Sequence, residues 1–343
     1  MNVTTIGFDL AKQVFHLVGA DAKGKQVMKR RIRRGGVLAY FANLPRCVVG
    51  IEACGGAHYW AREINRLGHE ARLINPKFVK AYLRGEKNDY NDAAALCEAV
   101  VSPQMRFVPL KSEAQQDLQA LHRLREGLIR QRTVWINRAR GLLAERGIVL
   151  GQGTAAFRRG VPWLLEEVGN GLSMMFRELL AEMYEQVVWL DERIEVYNKR
   201  LAKFFAGDAA CQRLKAIPGI GPMVGTALVA AVGDAHTFKN GRQLAAWVGL
   251  VPRQHSTGGR PRLLGISKRG DKHLRALLIH GARAVIRYAA GKEDRLSRWI
   301  LRLQARRGTN VATVALANKL ARMAWVVLSR EENYHPSGLP TAS

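Results

Sequence analysis

Two aspartates lie three residues apart in the segment 85–96, at the start of an alanine-rich helix pattern. Asp89 can act as the N-cap, Asn88 and Asn91 suit the same helix boundary, and Asp92 lies on the same face as Asp89 one turn later. Two like charges on one small surface either raise a pKa or share a divalent cation, and hard oxygen ligands favour magnesium. The helix dipole also favours acids at this end. The pair alone therefore leaves open both a capped, solvated helix end and a metal site.

Two further carboxylates lie upstream, each in an apolar run. Asp9 belongs to the β-rich run 3–10, and Glu52 ends the apolar run 47–53, which is typical of a strand buried on both faces. An acid without compensation is costly in such surroundings. Strand ends that carry these two acids, placed beside the aspartate pair, form a carboxylate cluster suited to two metal ions and in-line phosphoryl displacement.

The elements that position these acids follow from the apolar patterns. The patterns predict an antiparallel meander of strands over 3–10, 13–20 and 25–33, a helix over 36–44, a strand ending at Glu52, a helix over 58–67, a strand over 70–74 and a helix starting at Asp89. This is the element order of a ribonuclease H-like fold. In that fold the first and fourth strands carry acids towards a late helix.

From residue 112 the pattern changes to long helices with one basic face. A charge run is usually a solvated face. Here, however, seven arginines oppose only two acids, Glu126 and Glu145, and they would repel one another unless phosphates neutralised them. We therefore expect RNA or DNA contact along this helix. The arginines are Arg123, Arg125, Arg130, Arg132, Arg138, Arg140 and Arg146.

The next helix carries a heptad pattern of apolar residues. This pattern predicts a coiled-coil seam, which closes either on the preceding helix as a hairpin or on another subunit. Phe176, Met183, Leu190, Tyr197 and Phe204 recur every seven residues, interleaved with Leu180, Val187, Ile194 and Leu201.

Beyond residue 208, two glycine-containing segments are candidates for phosphate contact. The Pro-Gly-x-Gly turn 218–221 between helices fits either a helix-hairpin-helix DNA-binding unit or a tight helix connection. A basic loop over 252–262, continued by 265–270, places Ser256 and Thr257 among cations. Helices are expected over 238–250, 271–286 and 311–328, and a loose tail over 335–343.

Two roles are open for the hydroxyls of this basic loop. Ser256 and Thr257 would donate hydrogen bonds to a phosphate, or Ser256 would attack a phosphodiester. In the second role, four nearby cations would lower the pKa of the serine or stabilise the phosphorane: Arg253, Arg262, Lys268 and Arg269. Ser267 is an available rival nucleophile.

Composition restricts the class of partner. The 343 residues are 48% hydrophobic, and 54 Lys and Arg oppose 28 acids, which gives a formal net charge of +26. Such an excess points to a polyanion, most commonly nucleic acid. With apolar runs shorter than ~20 residues and no signal pattern at the N-terminus, a cytoplasmic protein without membrane contact is expected. The four cysteines lack CxxC pairing, so reduced thiols are expected.

Five motifs together resemble the transposases of the IS110 family, in family order over nearly the whole chain. They are Gly7-Phe8-Asp9-Leu10-Ala11-Lys12, Ile51-Glu52-Ala53-Cys54-Gly55, Asn88-Asp89-Tyr90-Asn91-Asp92-Ala93, Ile217-Pro218-Gly219-Ile220-Gly221 and Ile266-Ser267-Lys268-Arg269-Gly270. The resemblance implies a RuvC-like domain whose Asp9, Glu52, Asp89 and Asp92 hold Mg²⁺. It also implies a coiled-coil middle and a C-terminal transposase domain.

The resemblance further implies a catalytic serine, which carries over to Ser256 because it follows a Gly-Leu-x-Pro-Arg segment, here 249–253. It implies recombination directed by a bridge RNA that pairs with target and donor DNA. Where the family often has Asn after Lys-Arg-Gly, this chain has Asp271, which weakens any phosphate role for that position.

The expected fold class is thus α/β plus α. We expect an RNase H-like (RuvC-like) domain over 1–108, a helical coiled-coil region over 109–206 and a mainly helical transposase domain with a helix-hairpin-helix-like unit over 207–343. The expected assembly is a homo-oligomer, a dimer or a tetramer. The alternatives are a RuvC-like Holliday-junction or RNase H-type nuclease without a covalent intermediate, and a nucleic-acid packaging protein. Clustered acids, which repel phosphate, argue against packaging.

Overall fold

The computed structural model describes residues 2–86 and 88–335. The chain forms two compact units, Met1–Glu113 and Ala114–Ser343. The first unit contains the segment expected to be RNase H-like. The second contains both the expected helical middle and the expected C-terminal domain. The tail expected beyond residue 335 lies outside the described residues.

A six-stranded mixed sheet forms the centre of the first unit. Its strands are β1 (Thr5–Asp9), β2 (Val14–Ala20), β3 (Gln26–Arg33), β4 (Val48–Glu52), β5 (Glu70–Ile74) and β6 (Phe107–Val108). They lie in the order β3-β2-β1-β4-β5-β6. β1, β2 and β3 pair antiparallel, whereas β1, β4 and β5 pair parallel. This is the strand order that an RNase H-like fold requires, and the first five strands lie where the sequence predicts them.

Apolar side chains pack on both faces of this sheet. On one face, α1 (Val37–Ala42) and α2 (Ala57–Arg66) cover an aromatic core. The ring of Phe15 lies 5.3 Å from that of Phe8 and 5.1 Å from that of Trp60, between centroids. The other face packs against α3 (Pro76–Val79) and α4 (Asp89–Val100).

Two glycines allow α4 to lie directly on the sheet. A Cβ on Gly7 of β1 would stand 1.8 Å from the carbonyl oxygen of Ala93, and one on Gly50 of β4 would stand 2.7 Å from that of Leu96. Side chains at these positions would therefore push the helix away. Because both glycines lie two residues before a strand's carboxyl end, the first turns of α4 are held beside those ends.

Within the described residues, the second unit is helical apart from one two-stranded hairpin and short 3-10 turns. Its helices are α5 (Glu113–Ala144), α6 (Thr154–Glu166), α7 (Met174–Gly207), α8 (Ala209–Lys215), α9 (Pro222–Val232), α10 (Gly241–Val248), α11 (Lys272–Arg287), α12 (Arg295–Arg307) and α13 (Thr309–Arg330), and the hairpin joins β7 (Pro252–Gln254) to β8 (Leu263–Ile266). The segment expected to be a basic loop is therefore a hairpin, and α6 and α12 were not expected from the sequence.

The heptad positions of α7 are covered within the chain. Phe176, Leu180, Met183 and Val187 pack with residues of α5 and α6 in one core cluster. Further along, Leu201 packs with α5 and α9. Polar contacts also join the two long helices: Arg125 Nε donates to Asn198 Oδ1 at 2.6 Å, and Arg132 pairs with Asp191. These heptad residues thus pack within the chain, and the coiled coil stays a prediction.

Helices α8 to α13 enclose the largest core of the second unit. α13 lies within it through Leu316, Ala317 and Leu320, all fully buried. This 22-residue helix has the length and apolar composition to cross a membrane, although no apolar run of that length was expected from the sequence. Half of its apolar window is buried in the protein, as in the core helix of a globular unit.

Candidate functional site

Four acids meet at one edge of the first unit's sheet. Asp9 ends β1 and Glu52 ends β4, and these strands run parallel with Phe8 opposite Ile51, so the two acids follow as neighbours. Asp89 and Asp92 lie in the first turn of α4, which the glycine contacts hold beside the same strand ends. The elements thus bring together the acids that the sequence predicts as a cluster.

The pKa of Asp9 reflects both its burial and the charges of the other three acids. Burial and, after it, the charges of Asp92, Asp89 and Glu52 together raise the pKa of Asp9 from its ordinary value of 3.8 to about 7. Only a hydrogen bond from the backbone at Leu10 acts in the opposite direction. Asp9 is therefore an acid whose ionised form is unfavourable unless positive charge is supplied.

One member of the site was missed by sequence reasoning. His16 on β2 lies opposite Asp9 in the antiparallel pair, and its Nδ1 lies 3.2 Å from Asp89 Oδ2 without the alignment of a hydrogen bond. The His16 ring also contacts Tyr90 edge-on, with centroids 4.8 Å apart. Ligand atoms of Asp9, His16 and Asp89 all lie within 4.8 Å of one another.

The helix start differs in one detail from the expectation. The N-cap of α4 is Asn88, whose side chain accepts a hydrogen bond from Asn91 N at 2.8 Å, so the prediction that Asp89 caps the helix is wrong. The amide oxygen of Asn88 accepts the hydrogen bond from a backbone N–H of the first turn that a capping Asp89 would otherwise accept. The carboxylates of Asp89 and Asp92 are consequently not used as caps, while the helix dipole still favours their charge.

This donor set fits a hard divalent cation. The cluster offers carboxylate oxygens, the ligands that magnesium prefers, and one imidazole nitrogen. In the part of the chain that the structure describes, neither Asp9 nor Asp92 forms a salt bridge with Lys or Arg that would balance its charge. The acids therefore form a possible site for a divalent metal.

Ser256 lies at the exposed end of the hairpin formed by β7 and β8. Its Oγ accepts a hydrogen bond from Gln254 Nε2 at 2.8 Å, and the turn beyond it closes through a bridge between Thr257 and Arg260. Four predicted cations, Arg253, Arg262, Lys268 and Arg269, are exposed on or beside this hairpin. Arg253 and Arg262 flank the end that carries Ser256, whereas Lys268, Arg269 and the half-buried rival Ser267 lie at the hairpin's base.

The base of this hairpin is tightly held. The buried guanidinium of Arg275 on α11 donates from Nη1 to the carbonyl oxygens of Val248, at 2.8 Å, and Arg269, at 2.9 Å. Lys268 N donates to Gly249 O at 3.1 Å. A Cβ on Gly249 (φ +83°) would stand 2.1 Å from Arg269 O, so the two chain segments touch only because the residue is glycine. These contacts fix the base of the hairpin, from which the exposed tip with Ser256 extends.

The arginines of α5 differ in their surroundings. Arg125 and Arg132 are engaged with α7, and Arg146 stacks on Phe176 with its guanidinium carbon 3.6 Å from the ring centroid. Three other arginines of the seven, Arg123, Arg130 and Arg138, are exposed and form no hydrogen bond or ion pair with another helix in the described structure. Arg130 pairs with Glu126 and Arg138 stacks on Trp135.

The Pro-Gly-x-Gly turn has a packing role. Gly219 lies between α8 and α9 with φ of +85°, and a Cβ there would stand 2.8 Å from the carbonyl oxygen of Gly281 on α11. This close approach explains the glycine without any phosphate. A helix-hairpin-helix role for the turn stays a prediction.

Comparisons with known proteins show which proteins this chain is similar to. Residues 6–147 match the DEDD transposases of IS110, a family described as "Transposase", and residues 211–296 match the "Transposase IS116/IS110/IS902 family". The first match contains the four acids, and the second contains Ser256.

Full-length relatives show the same family. A probable family 20 transposase of Pseudomonas aeruginosa is 50% identical over 98% of this chain and 100% of its own length. The transposase for insertion sequence element IS1111A of Coxiella burnetii is 43% identical over 97% of this chain and 92% of its own. The transposase for insertion sequence element IS1328 of Yersinia enterocolitica is 40% identical over 96% of this chain and 98% of its own length. The resemblance seen in the motifs is confirmed: the chain belongs to the IS110 family of transposases.

Proposed function

We propose that this transposase inserts and excises an insertion sequence by Mg²⁺-dependent cleavage and exchange of DNA strands, with Ser256 as the nucleophile. The observation that carries the proposal is the meeting of Asp9, Glu52, Asp89 and Asp92 at the ends of β1, β4 and α4. Three acids that raise the pKa of a fourth, Asp9, are costly to the folded protein unless the cluster holds metal.

The acids would hold magnesium, and His16 would contact the same site from β2. When bound, the metal would stabilise negative charge on the scissile phosphate and on the attacking oxygen. The protein's own contribution is position, because the packing of Gly7 and Gly50 against α4 fixes the distance between the strand ends and the aspartates.

The proposed step is a transesterification at phosphorus. The Ser256 oxygen forms a bond to the phosphorus of a phosphodiester, the bond from phosphorus to one deoxyribose oxygen breaks, and the proton lost by the serine is matched by one gained by the leaving oxygen. Exposed cations on and beside the hairpin, among them Arg253 and Arg262, would stabilise the phosphorane. Reversal of the step on a different strand end exchanges the strands.

Guidance by a bridge RNA, which the family resemblance implies, is part of the proposal. A net charge of +26 supports simultaneous contact with RNA and with target and donor DNA. Arg123, Arg130 and Arg138 on α5 and the hairpin cations are the proposed contacts. A dimer or tetramer is the proposed assembly.

The test is cleavage of a cognate DNA junction in Mg²⁺ by single variants of each acid. Asp9→Asn, Glu52→Gln, Asp89→Asn and Asp92→Asn should each abolish cleavage, because each removes a charged oxygen ligand. Asp117→Asn, the same substitution on α5, should leave cleavage unchanged and serves as the control. Full cleavage by two or more of the four variants would contradict the proposal. Cleavage that depends on the acids but leaves no protein on the DNA would instead favour the nuclease.

A further inference from the structure

α12 carries a stripe of four exposed arginines, Arg295, Arg298, Arg302 and Arg306. Their spacing of three, four and four residues keeps them on one helical face. The opposite face is apolar, and Leu296 and Ile300 are buried in the core of the second unit. The helix is therefore fixed to the protein by one side and presents guanidinium groups on the other.

These arginines have no carboxylate partners within the described residues. No acid occurs between positions 295 and 307, and the contact found for the stripe is one from Arg302 Nε to the carbonyl oxygen of Arg298, at 3.3 Å. Like charges four residues apart destabilise a helix. This contrasts with α5, where Arg125 and Arg132 are engaged by side chains of α7.

Cations of α13 extend the same surface. Burial lowers the pKa of Lys319, and the nearby charges of Arg322 and Arg295 lower it further, so these three groups repel one another. The Lys319 ammonium lies 4.5 Å from the ring centroid of Trp299 and covers this half-buried ring. The surface is thus a concentration of positive charge at which the aromatic ring is covered.

The geometry indicates which nucleic acid fits. At about 1.5 Å of rise per residue, the four arginines span roughly 16 Å in steps of about 4.5–6 Å, a row suited to successive phosphates. Surfaces for single strands add aromatic rings on which bases stack, and here the ring lies beneath a lysine. We infer that the arginine stripe of α12 binds the phosphate backbone of duplex DNA. This inference rests on the proposed function, which it extends by a second DNA-binding surface.

The test measures binding of the full chain to a 30-base-pair DNA of arbitrary sequence in EDTA, over a range of salt concentrations. EDTA removes divalent metal, so the result does not depend on cleavage or on Ser256. In the triple variant Arg298→Gln, Arg302→Gln, Arg306→Gln, the slope of log K against log salt should fall by about 2.7, at roughly 0.9 per lost phosphate contact. The matched Arg→Lys triple variant should keep most of the slope.

The control removes the same charge elsewhere. Lys199→Gln, Arg200→Gln, Lys203→Gln on α7 also lowers the net charge by three, and all three side chains are exposed. An equal fall in slope for this control, an unchanged slope for the α12 variant, or a loss confined to RNA of the same length would overturn the inference. If circular dichroism shows the triple variant unfolded, Arg302→Gln alone should lower the slope by about 0.9. An unchanged slope for that variant would also overturn it.

Discussion

Asp9 is the acid of the cluster whose raised pKa makes the stability of the fold depend on pH. Its pKa is about 7 because it is partly buried and faces three other carboxylates. A folded-state pKa above the ordinary 3.8 means that the folded protein keeps a proton that the unfolded chain loses. Without metal, stability should therefore fall as the pH rises from about 4 through 7 and should stay low above it.

We predict that Asp9→Asn stabilises the first unit at pH 8 in EDTA, by roughly 1–3 kcal/mol after allowance for solvent screening. The amide removes the charge that repels Asp92 and Asp89. Native-state hydrogen exchange of β1 and α4 measures the effect locally. Mg²⁺ should slow exchange in the wild type and not in Asp9→Asn, and Asp117→Asn should behave as wild type. Faster exchange in Asp9→Asn would contradict this electrostatic account.

At this scale the sequence predicted most of the site. Apolar runs that end in Asp9 and Glu52, and an aspartate pair at a helix start, were sufficient to bring four acids together. His16 was missed because the expected strands left only two residues between them, which would set Asp9 opposite Val14. The real connection is longer, and it sets Asp9 opposite His16.

At the scale of elements, the α5–α7 pair shows how one basic helix has two roles. Arg125 and Arg132 bind side chains of α7 and so join the two helices, whereas Arg123, Arg130 and Arg138 form no hydrogen bond or ion pair with α7. The sequence could not separate these groups, because charge alone does not reveal which arginines of α5 contact Asn198 and Asp191 on α7.

We predict that replacing Arg123, Arg130 and Arg138 by Gln lowers the salt slope of RNA binding by about two to three, since each arginine neutralises about one phosphate. Replacing Arg125 and Arg132 by Gln is the comparison. That variant should lower the melting temperature of the second unit, because it removes contacts between α5 and α7. An unchanged slope in the first variant would place the RNA elsewhere.

Elements with strong periodicity were predictable, and those without it were not. The heptads of α7 and the first five strands followed from apolar spacing. The hairpin of β7 and β8 was expected to be a loop, because its glycines and basic residues resemble those of a loop. Its strands carry little apolar periodicity, since even Leu263 and Leu264 are exposed. α12 was missed because its apolar residues lie between arginines that obscure the pattern.

At the scale of the whole molecule, the acids belong to the first unit and the serine to the second. Two units of one chain allow the proposed chemistry to combine acids from one copy with a serine from another. In that arrangement, a mixture of Ser256→Ala and Asp92→Asn proteins should regain part of the recombination activity that each lacks alone. Activity of the mixture no greater than that of either variant would show that both groups act within one copy.

The measurement that tests the central claim most directly is the identity of the residue that becomes bonded to DNA. The protein is trapped on a nicked DNA substrate in Mg²⁺, denatured and digested with trypsin, and the peptide that carries the nucleotide is found by mass spectrometry. Trypsin cuts after Arg253, Arg262 and Lys268, so Ser256 falls in the peptide 254–262 and Ser267 in the peptide 263–268. We predict a nucleotide on 254–262 that is absent from Ser256→Ala. A nucleotide on 263–268, or one that persists in Ser256→Ala, would contradict the assignment of the nucleophile.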